Sequence, residues 1–455
     1  MPSAFSGIEI ASNALRAFEF ALNITGHNLS NIETSGYSRQ RVEFGQTPPL
    51  TYFALNPVTM GTGVGIASVN RIRNLFLDGK FWQASYEQSR MMQLLTTLEQ
   101  IEMIFEEPGS NGIHSLMVGM FDAWNDLSQN PASEASRMNL RMQASLFVQK
   151  VRDIHRALQS QRQGLVQETL TSIEQINRIA KEISDLNAEI RTQIANDTKP
   201  NDLLDRRGKL LDELSTWVDV HTQELADGTI TVYIGEYTLV GQGGEYPLPN
   251  DFDAASSSLI DGSDNIEIRG GKLGGLLNGI RAVEIYTTQL DTLVTELRDY
   301  VNALHTTGVN LNGTTGIAFF QGANGAVDFD LSDEIKTDVR NIAAGTSGAP
   351  GDGSLALAIS RSRDTDLAGL GNRSVLEYHR DFVMQLAQET NTYRTSVTTQ
   401  ESALRQIKSQ RQSISGVNMD EELAQMMRFQ RSYQAAARVL TVFDQVTEEL
   451  INVLH

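Results

Sequence analysis

Seven histidines are the first residues to weigh for chemistry, and none stands at a ligand spacing. His27, His114, His155, His221, His305, His379 and His455 are scattered, with no HExxH pair. The 455 residues include no cysteine, which removes thiolate zinc sites, cysteine nucleophiles and disulfides together. Two acidic turns, DGSDNIE from Asp261 and DFDLSDE from Asp328, carry enough carboxylates to suggest calcium. Neither has the glycine turn and distal glutamate of an EF-hand. The run GTGVG, Gly61 to Gly65, is wrongly spaced for a dinucleotide fingerprint, and no GxxxxGK[ST] or GxSxG motif occurs. Carboxylates such as Glu182 and Asp185 fall on helical faces near Lys or Arg and read as solvated. No catalytic residue, metal site or cofactor is assigned, and the chain reads as a non-enzyme.

Charge narrows the partners. With 37 basic against 56 acidic residues the formal net charge is -19, which opposes binding to nucleic acid phosphates or docking on an anionic membrane. No run approaches the roughly 18 apolar residues of a membrane-spanning helix. The opening MPSAFSGIEI lacks a basic stretch followed by an apolar one, so a cleaved secretory signal is not expected. A cysteine-free chain also suits passage in an unfolded state through an oxidising space.

With chemistry set aside, the elements carry the information. Ile8, Leu15, Leu22 and Leu29 recur every seven residues, with Ala11, Phe18 and Thr25 between them. That is one narrow helical seam. The far end matches it with Met426, Phe429, Tyr433, Ala436, Leu440, Phe443, Thr447, Leu450 and Leu454. Between Pro131 and Pro200 the only glycine is Gly164, and Leu140, Ala144, Phe147, Val151, Ile154 and Leu158 continue into Ile173, Ile176, Ala180, Ile183 and Ile190. A pattern so long predicts a coiled-coil-like rod or extended bundle. Further helices are expected near 75–105, over 282–304 with Val283, Tyr286, Leu290, Leu293, Leu297, Tyr300 and Leu304 inward, and over 376–414.

Two stretches break this texture. DGTITVYIGEYTLVGQGGEYPL alternates β-branched and aromatic residues after Asp227-Gly228 and reads as a hairpin. GIAFFQGANGAVDFDL reads as a strand pair, and residues 47–69, with three prolines, as an extended connector with short strands. The resulting expectation is a mainly α chain with a small β-rich domain. Residues 1–69 and 415–455 would form an inner domain of paired terminal helices. Residues 70–219, 276–307 and 354–414 would form a helical bundle, and 220–275 with 308–353 one inserted β domain.

NLSNIETSGYSRQ, Asn28 to Gln40, directly follows the first heptad helix and resembles the N-terminal signature of axial proteins of the bacterial flagellum. Its GYSRQ ending is more similar to hook-associated proteins than to rod or hook proteins. GVGIASVNRIRNLFLDGKFWQAS from Gly63, GGKLGGLLNGIR from Gly270 with NALHTTGVNLNGTTGIAFF after it, and SGVNMDEELAQMMRFQRSYQAAARVL from Ser415 resemble the flagellar hook-associated protein 1 family in the same order. The blocks cover about half of the residues. His27 stands where asparagine is common in the family, and the region after Phe320 is short, so an additional outer domain of some relatives is not expected here.

The resemblance implies an elongated multi-domain rod, with a subunit that assembles as a ring between hook and filament. Its implied partners are further copies of itself, hook protein, the second junction protein and an export chaperone at the C-terminal region. It also implies an extracellular location reached through the flagellar type III apparatus. Assembly contacts are then expected at Leu15, Phe18, Leu22, Leu29, Asn31, Gly36, Tyr37, Arg39, Gln40, Phe429, Tyr433, Leu440, Phe443 and Leu450. Asn28, Asn31, Thr34 and Gly36 suit a helix exit, and Tyr37, Arg39 and Gln40 would offer an aromatic face and donors to a neighbouring subunit. An isolated helix pair buries too little to offset its ordering entropy, so both ends are expected to be mobile in the free monomer. The alternatives are the other junction protein, a flagellin-like filament subunit, or a helical scaffold or binding module.

Overall fold

The computed structural model describes residues 4–52, 58–107, 109 and 111–453, with the side chains of 4, 5, 52, 58, 450 and 453 outside the description. In chain order the main elements begin with α1 (Ala4–Ser30), β1 (Gln40–Gln46), β2 (Leu50–Tyr52), β3 (Val58–Met60) and β4 (Val64–Arg71). Helices α2 (Leu75–Phe105), α3 (Ile113–Gln129), α4 (Glu134–Ala195) and α5 (Asn201–Trp217) follow. Next come β5 (His221–Glu224), β6 (Ile230–Ile234), β7 (Tyr237–Gly241), β8 (Gly244–Glu245), β9 (Phe252–Asp253), β10 (Ser258–Asp261) and β11 (Asp264–Glu267). The chain closes with α6 (Gly271–His305), β12 (Phe320–Gln321), β13 (Asp330–Leu331), α7 (Asp333–Thr337), α8 (Ser354–Arg361), α9 (Val375–Ser415) and α10 (Met419–Val453). Helix dominates, as the seams predict.

These elements fall into two compact units, residues 1–86, 176–248 and 401–455, and residues 87–175 and 249–400. In the first unit α1 packs on α10, and β1 pairs antiparallel with β4 from Gln40 opposite Arg71 to Gln46 opposite Val64. Strands β5 to β8 form an antiparallel meander. Asn187 on α4 holds the meander, donating to the Ile230 carbonyl at 2.8 Å and accepting the Ile230 N–H at 3.2 Å. An ion cluster fastens the helices: Arg73 reaches Asp78 at 2.6 Å, and Arg411 reaches Asp78 at 3.0 Å and Asp212 at 2.7 Å. The Trp82 indole donates to the same Asp212 at 2.7 Å.

The second unit is a helical core with small sheets. The apolar face of α4 from Leu140 to Leu158 is buried against residues of α3 and α6, including Trp124, Tyr286, Leu290 and Leu297. Trp124, Phe319, Phe320 and Phe329 stack in sequence at centroid spacings of 4.8 to 4.9 Å, a geometry aromatic pairs favour. His305 ends α6 inside this cluster, its Nδ1 donating to the Ile317 carbonyl at 2.7 Å and its Nε2 accepting the Ala343 N–H at 2.9 Å. That pairing fixes a neutral tautomer, and burial pushes its pKa down to about 4.

Two expectations need correction. The single β domain from 220–275 and 308–353 does not form: β5–β8 belong to the first unit, while β9–β11 and the β12–β13 pair lie in the second as separate sheets. Alternation and turn residues are local signals that do not say which strands will share a sheet. Helix α6 also begins at Gly271, eleven residues before the expected 282. Its early glycines allow close packing. A Cβ at Gly275 would stand 2.7 Å from the Arg90 carbonyl oxygen, so only glycine lets α6 approach α2 there.

Candidate functional site

The site is built where the chain ends meet. Along the α1–α10 pair the fully buried apolar residues are small, Ala11, Ala17, Ala21 and Ala436, with Thr25 and Asn28. Leu15, Phe18, Leu22, Leu29, Phe429, Tyr433, Leu440 and Phe443 are half-buried around that line. Phe443 lies directly over Gly7, where a Cβ would collide with its ring. The heptad reading found the flanks of the seam and, in Ala11, Thr25 and Ala436, part of its floor, which Ala17, Ala21 and Asn28 complete. Leu450 is helical, with its side chain outside the described residues, and Leu454 is outside them altogether.

An aromatic ladder crosses the pair. Phe18 of α1 and Phe429 of α10 both pack on Phe44 of β1, with centroids 5.8 and 5.9 Å apart. The β1–β4 register shifts between Glu43 and Phe44, and such a bulge re-aims a strand side chain. The bulge, and hence Phe44, was missed because nothing in QRVEFGQ marks it.

The loop from Asn28 to Gln40 fastens these elements within the chain. The Asn28 amide donates to the Gln40 carbonyl at 2.8 Å and to Glu422 Oε2 at 3.0 Å. Its oxygen accepts the Gln40 N–H at 2.9 Å and the Tyr37 hydroxyl at 2.7 Å. Asn31 closes the helix exit, its amide donating to the His27 carbonyl at 3.0 Å, and Gly36 turns the chain at φ 87°. The Arg39 guanidinium bridges Glu421 and Glu422 at 2.6 Å each, and its N–H donates to the Ser415 carbonyl at 2.9 Å. Gln40 donates to Asp202 at 3.1 Å, and the Ser38 N–H to Asp205 at 2.9 Å.

Tyr37, Arg39 and Gln40, expected to face a neighbouring subunit, are engaged within their own chain. Arg39 and Gln40 are buried, and Tyr37 is half-buried with its hydroxyl committed to Asn28. Burial, with Asp205, Asp202 and Glu422 nearby, raises the Tyr37 pKa well above its usual value, so it stays neutral. Asn28, Glu421 and Glu422 are the residues of this intrachain network that sequence reasoning left out of the contact set. The signal was present, since Asn418 caps α10 through the Asp420 N–H at 3.0 Å and the acids sit in its first turn.

What faces outward is apolar too. Val439, Val442 and Val446 of α10 form a second row at i, i+3, i+7 and are 45%, 56% and 42% exposed. They lie on a different face from Leu440 and Phe443. No helix among the described residues is long and apolar enough to cross a membrane, and no group of three or more His, Asp or Glu among them is placed to hold a metal ion.

Comparison with known proteins matches this arrangement along its whole length. Residues 98–320 match the model of the flagellar hook-associated protein FlgK helical domain, and 408–453 that of the flagellar basal body rod FlgEFG protein C-terminal region. Flagellar hook-associated protein 1 of Bacillus subtilis is 28% identical, covering 99% of each chain. From end to end the chain is similar to flagellar hook-associated protein 1. The Escherichia coli member is 26% identical over 98% of this chain and 99% of its own. A solved flagellar hook junction protein FlgK from Burkholderia pseudomallei shares the fold, with a TM-score of 0.64 at 16% identity, covering 74% of this chain and all of that one. The stretch matched by the rod-protein C-terminal model covers α10, and that matched by the helical-domain model runs from within α2 to the start of β12.

Proposed function

We propose that this chain is a structural subunit of the bacterial flagellum that forms the junction ring between hook and filament. Its neighbours would be further copies of itself, hook protein and the second junction protein. The observation that carries the reading is the pairing of α1 with α10 in a chain matched end to end by hook-associated protein 1 of Bacillus subtilis and Escherichia coli. The α1–α10 seam joins the chain ends, and the valine row on α10 supplies an apolar face for axial packing. The helical second unit would make lateral contacts. No reaction belongs to this role.

Delivery follows from the same reading. The subunit would travel unfolded through the flagellar type III apparatus, with a chaperone on its C-terminal region, to an extracellular position. The absence of cysteine supports that route. The test uses purified chain added to hook fragments, followed by electron microscopy of the hook ends. Wild type should cap the hooks, and a Val439→Ser, Val442→Ser, Val446→Ser variant with an unchanged circular dichroism spectrum should not. Capping by the variant would remove the valine row from the mechanism, and failure of the wild type would remove the junction reading.

A further inference from the structure

The first unit contains a cavity of about 480 Å³ that the assembly role does not use. Arg71, Arg73 and Arg207 line it together with Trp82, Tyr86 and a wall of aliphatic side chains. Two of the arginines have close partners, Arg71 with Asp205 at 2.8 Å and Arg73 with Asp78 at 2.6 Å. Arg207 differs. It is 5% exposed, its Nη1 donates to the Asn187 side chain at 3.1 Å and the Gly228 carbonyl at 2.7 Å, and the carboxylate it faces, Glu224, is 3.6 Å away and half exposed. Burial, opposed by Glu224 and reinforced by Arg71 and Arg73, lowers its pKa to about 10.

A buried cation whose carboxylate partner stands 3.6 Å off and half exposed is only partly compensated, and a guanidinium fork matches a carboxylate in shape and charge. The backbone makes room for the cluster: a Cβ at Gly208 would collide with the Arg73 guanidinium. The remaining lining mixes polar residues, Asp78, Gln83, His221, Thr222 and Glu224, with an apolar wall of Leu204, Leu211, Val220 and Ile230, and Leu75, a lining residue, and its neighbour Phe76 are strongly exposed. An ordinary inorganic anion would leave that wall unused.

We propose that this cavity is a binding site for a carboxylate carried on an apolar stem. The stem packs on Trp82 and Tyr86 while the carboxylate meets Arg207 and Arg73. Two sources present this chemistry, a free organic acid and an acidic side chain on a second copy of this strongly acidic chain. The site does not depend on the junction reading.

Phenylacetate is the probe, titrated calorimetrically into the full-length chain, with neutral phenylacetamide as control. Phenylacetate should bind and phenylacetamide should not. Arg207→Gln should weaken binding by about tenfold or more, the loss of one charged contact. Because Arg207 also bonds Asn187 and Gly228, a second variant guards against misfolding. Gly79 lines the cavity on α2 and an added Cβ there meets open space, so Gly79→Gln fills the site while leaving each arginine in place. It should abolish binding with the melting curve retained. Sedimentation equilibrium separates the sources: self-association that phenylacetate and Gly79→Gln both weaken assigns the site to a second copy, and binding with unchanged mass assigns it to a free acid. No binding and no cavity-dependent association, or binding that survives Gly79→Gln, would overturn the proposal.

Discussion

Asn28 spends both its amide protons and its oxygen on joining α1, the following loop and α10, and it does so while buried. Replacing it by Ala leaves the Gln40 N–H and carbonyl without these partners, at a cost of about 2–3 kcal/mol. Local amide exchange of residues 28–40 and 419–425 should report that loss. Arg39 makes a second case. Of its two ion pairs, one reaches exposed Glu421 and the other Glu422, whose side chain is 3% exposed, so Arg39→Ala takes the cation from a buried carboxylate and should cost about 3 kcal/mol. Adding Glu422→Gln should recover part of it, and a strictly additive double variant would mean that the pair is not coupled.

The buried histidines act differently, through protons. His305 falls from an ordinary value near 6.5 to about 4, and His379, buried and repelled by His114, to about 3. In both the unfolded chain binds the proton first, so stability is complete above pH 6.5 and declines as pH falls through 6.5 toward 4. For His305 the full effect is about 3 kcal/mol. Urea midpoints of the second unit should fall between pH 7 and 4.5, and His305→Gln should flatten that slope. An unchanged slope would mean that the His305 environment does not exclude the proton.

Among the elements, Phe44 has the widest influence for its size. It stands between Phe18 and Phe429, so β1 acts as a spacer through which α1 and α10 share an aromatic contact. Phe44→Ala should loosen both helices together, by about 1–2 kcal/mol for an exposed ring that packs on two others. The check is hydrogen exchange over 8–30 and 420–449 in the chain bound to hook fragments, with the second unit as internal reference. Equal protection in the variant would show that the helices hold each other without the ladder. The same comparison explains why the contact set was half legible. A period of seven finds leucines and phenylalanines, but Ala17 and Ala21, which lie at the buried centre, have no periodic signature of their own.

At the scale of the whole chain the prediction concerns assembly. The α1–α10 pair exposes Val439, Val442 and Val446 and buries mainly alanines, so its own burial is modest against the entropy of ordering two long helices. Exchange over residues 8–30 and 420–449 in dilute monomer should approach the unprotected rate, and slow markedly when the chain is bound to hook fragments. Protection already complete in the monomer would mean that the pair is stable alone and that assembly need not fold it.

The sequence by itself determined the helices, because burial on one face at a 3.6-residue period is written into every turn. It placed α2 and α9 almost to the residue and the helix exit at Asn31, where a side-chain amide finds a carbonyl four residues back. The order of its motifs also pointed to the family. Tertiary structure decided the rest: that strands 221–245 and 252–267 part into different units, that glycines at 271–279 extend a helix instead of breaking it, and that Arg39 and Gln40 turn inward. Each depends on a partner far along the chain, such as Glu422 for Arg39 or Arg90 for Gly275. Local spacing records which face of an element is buried, but the identity of what covers it is fixed only when distant segments meet.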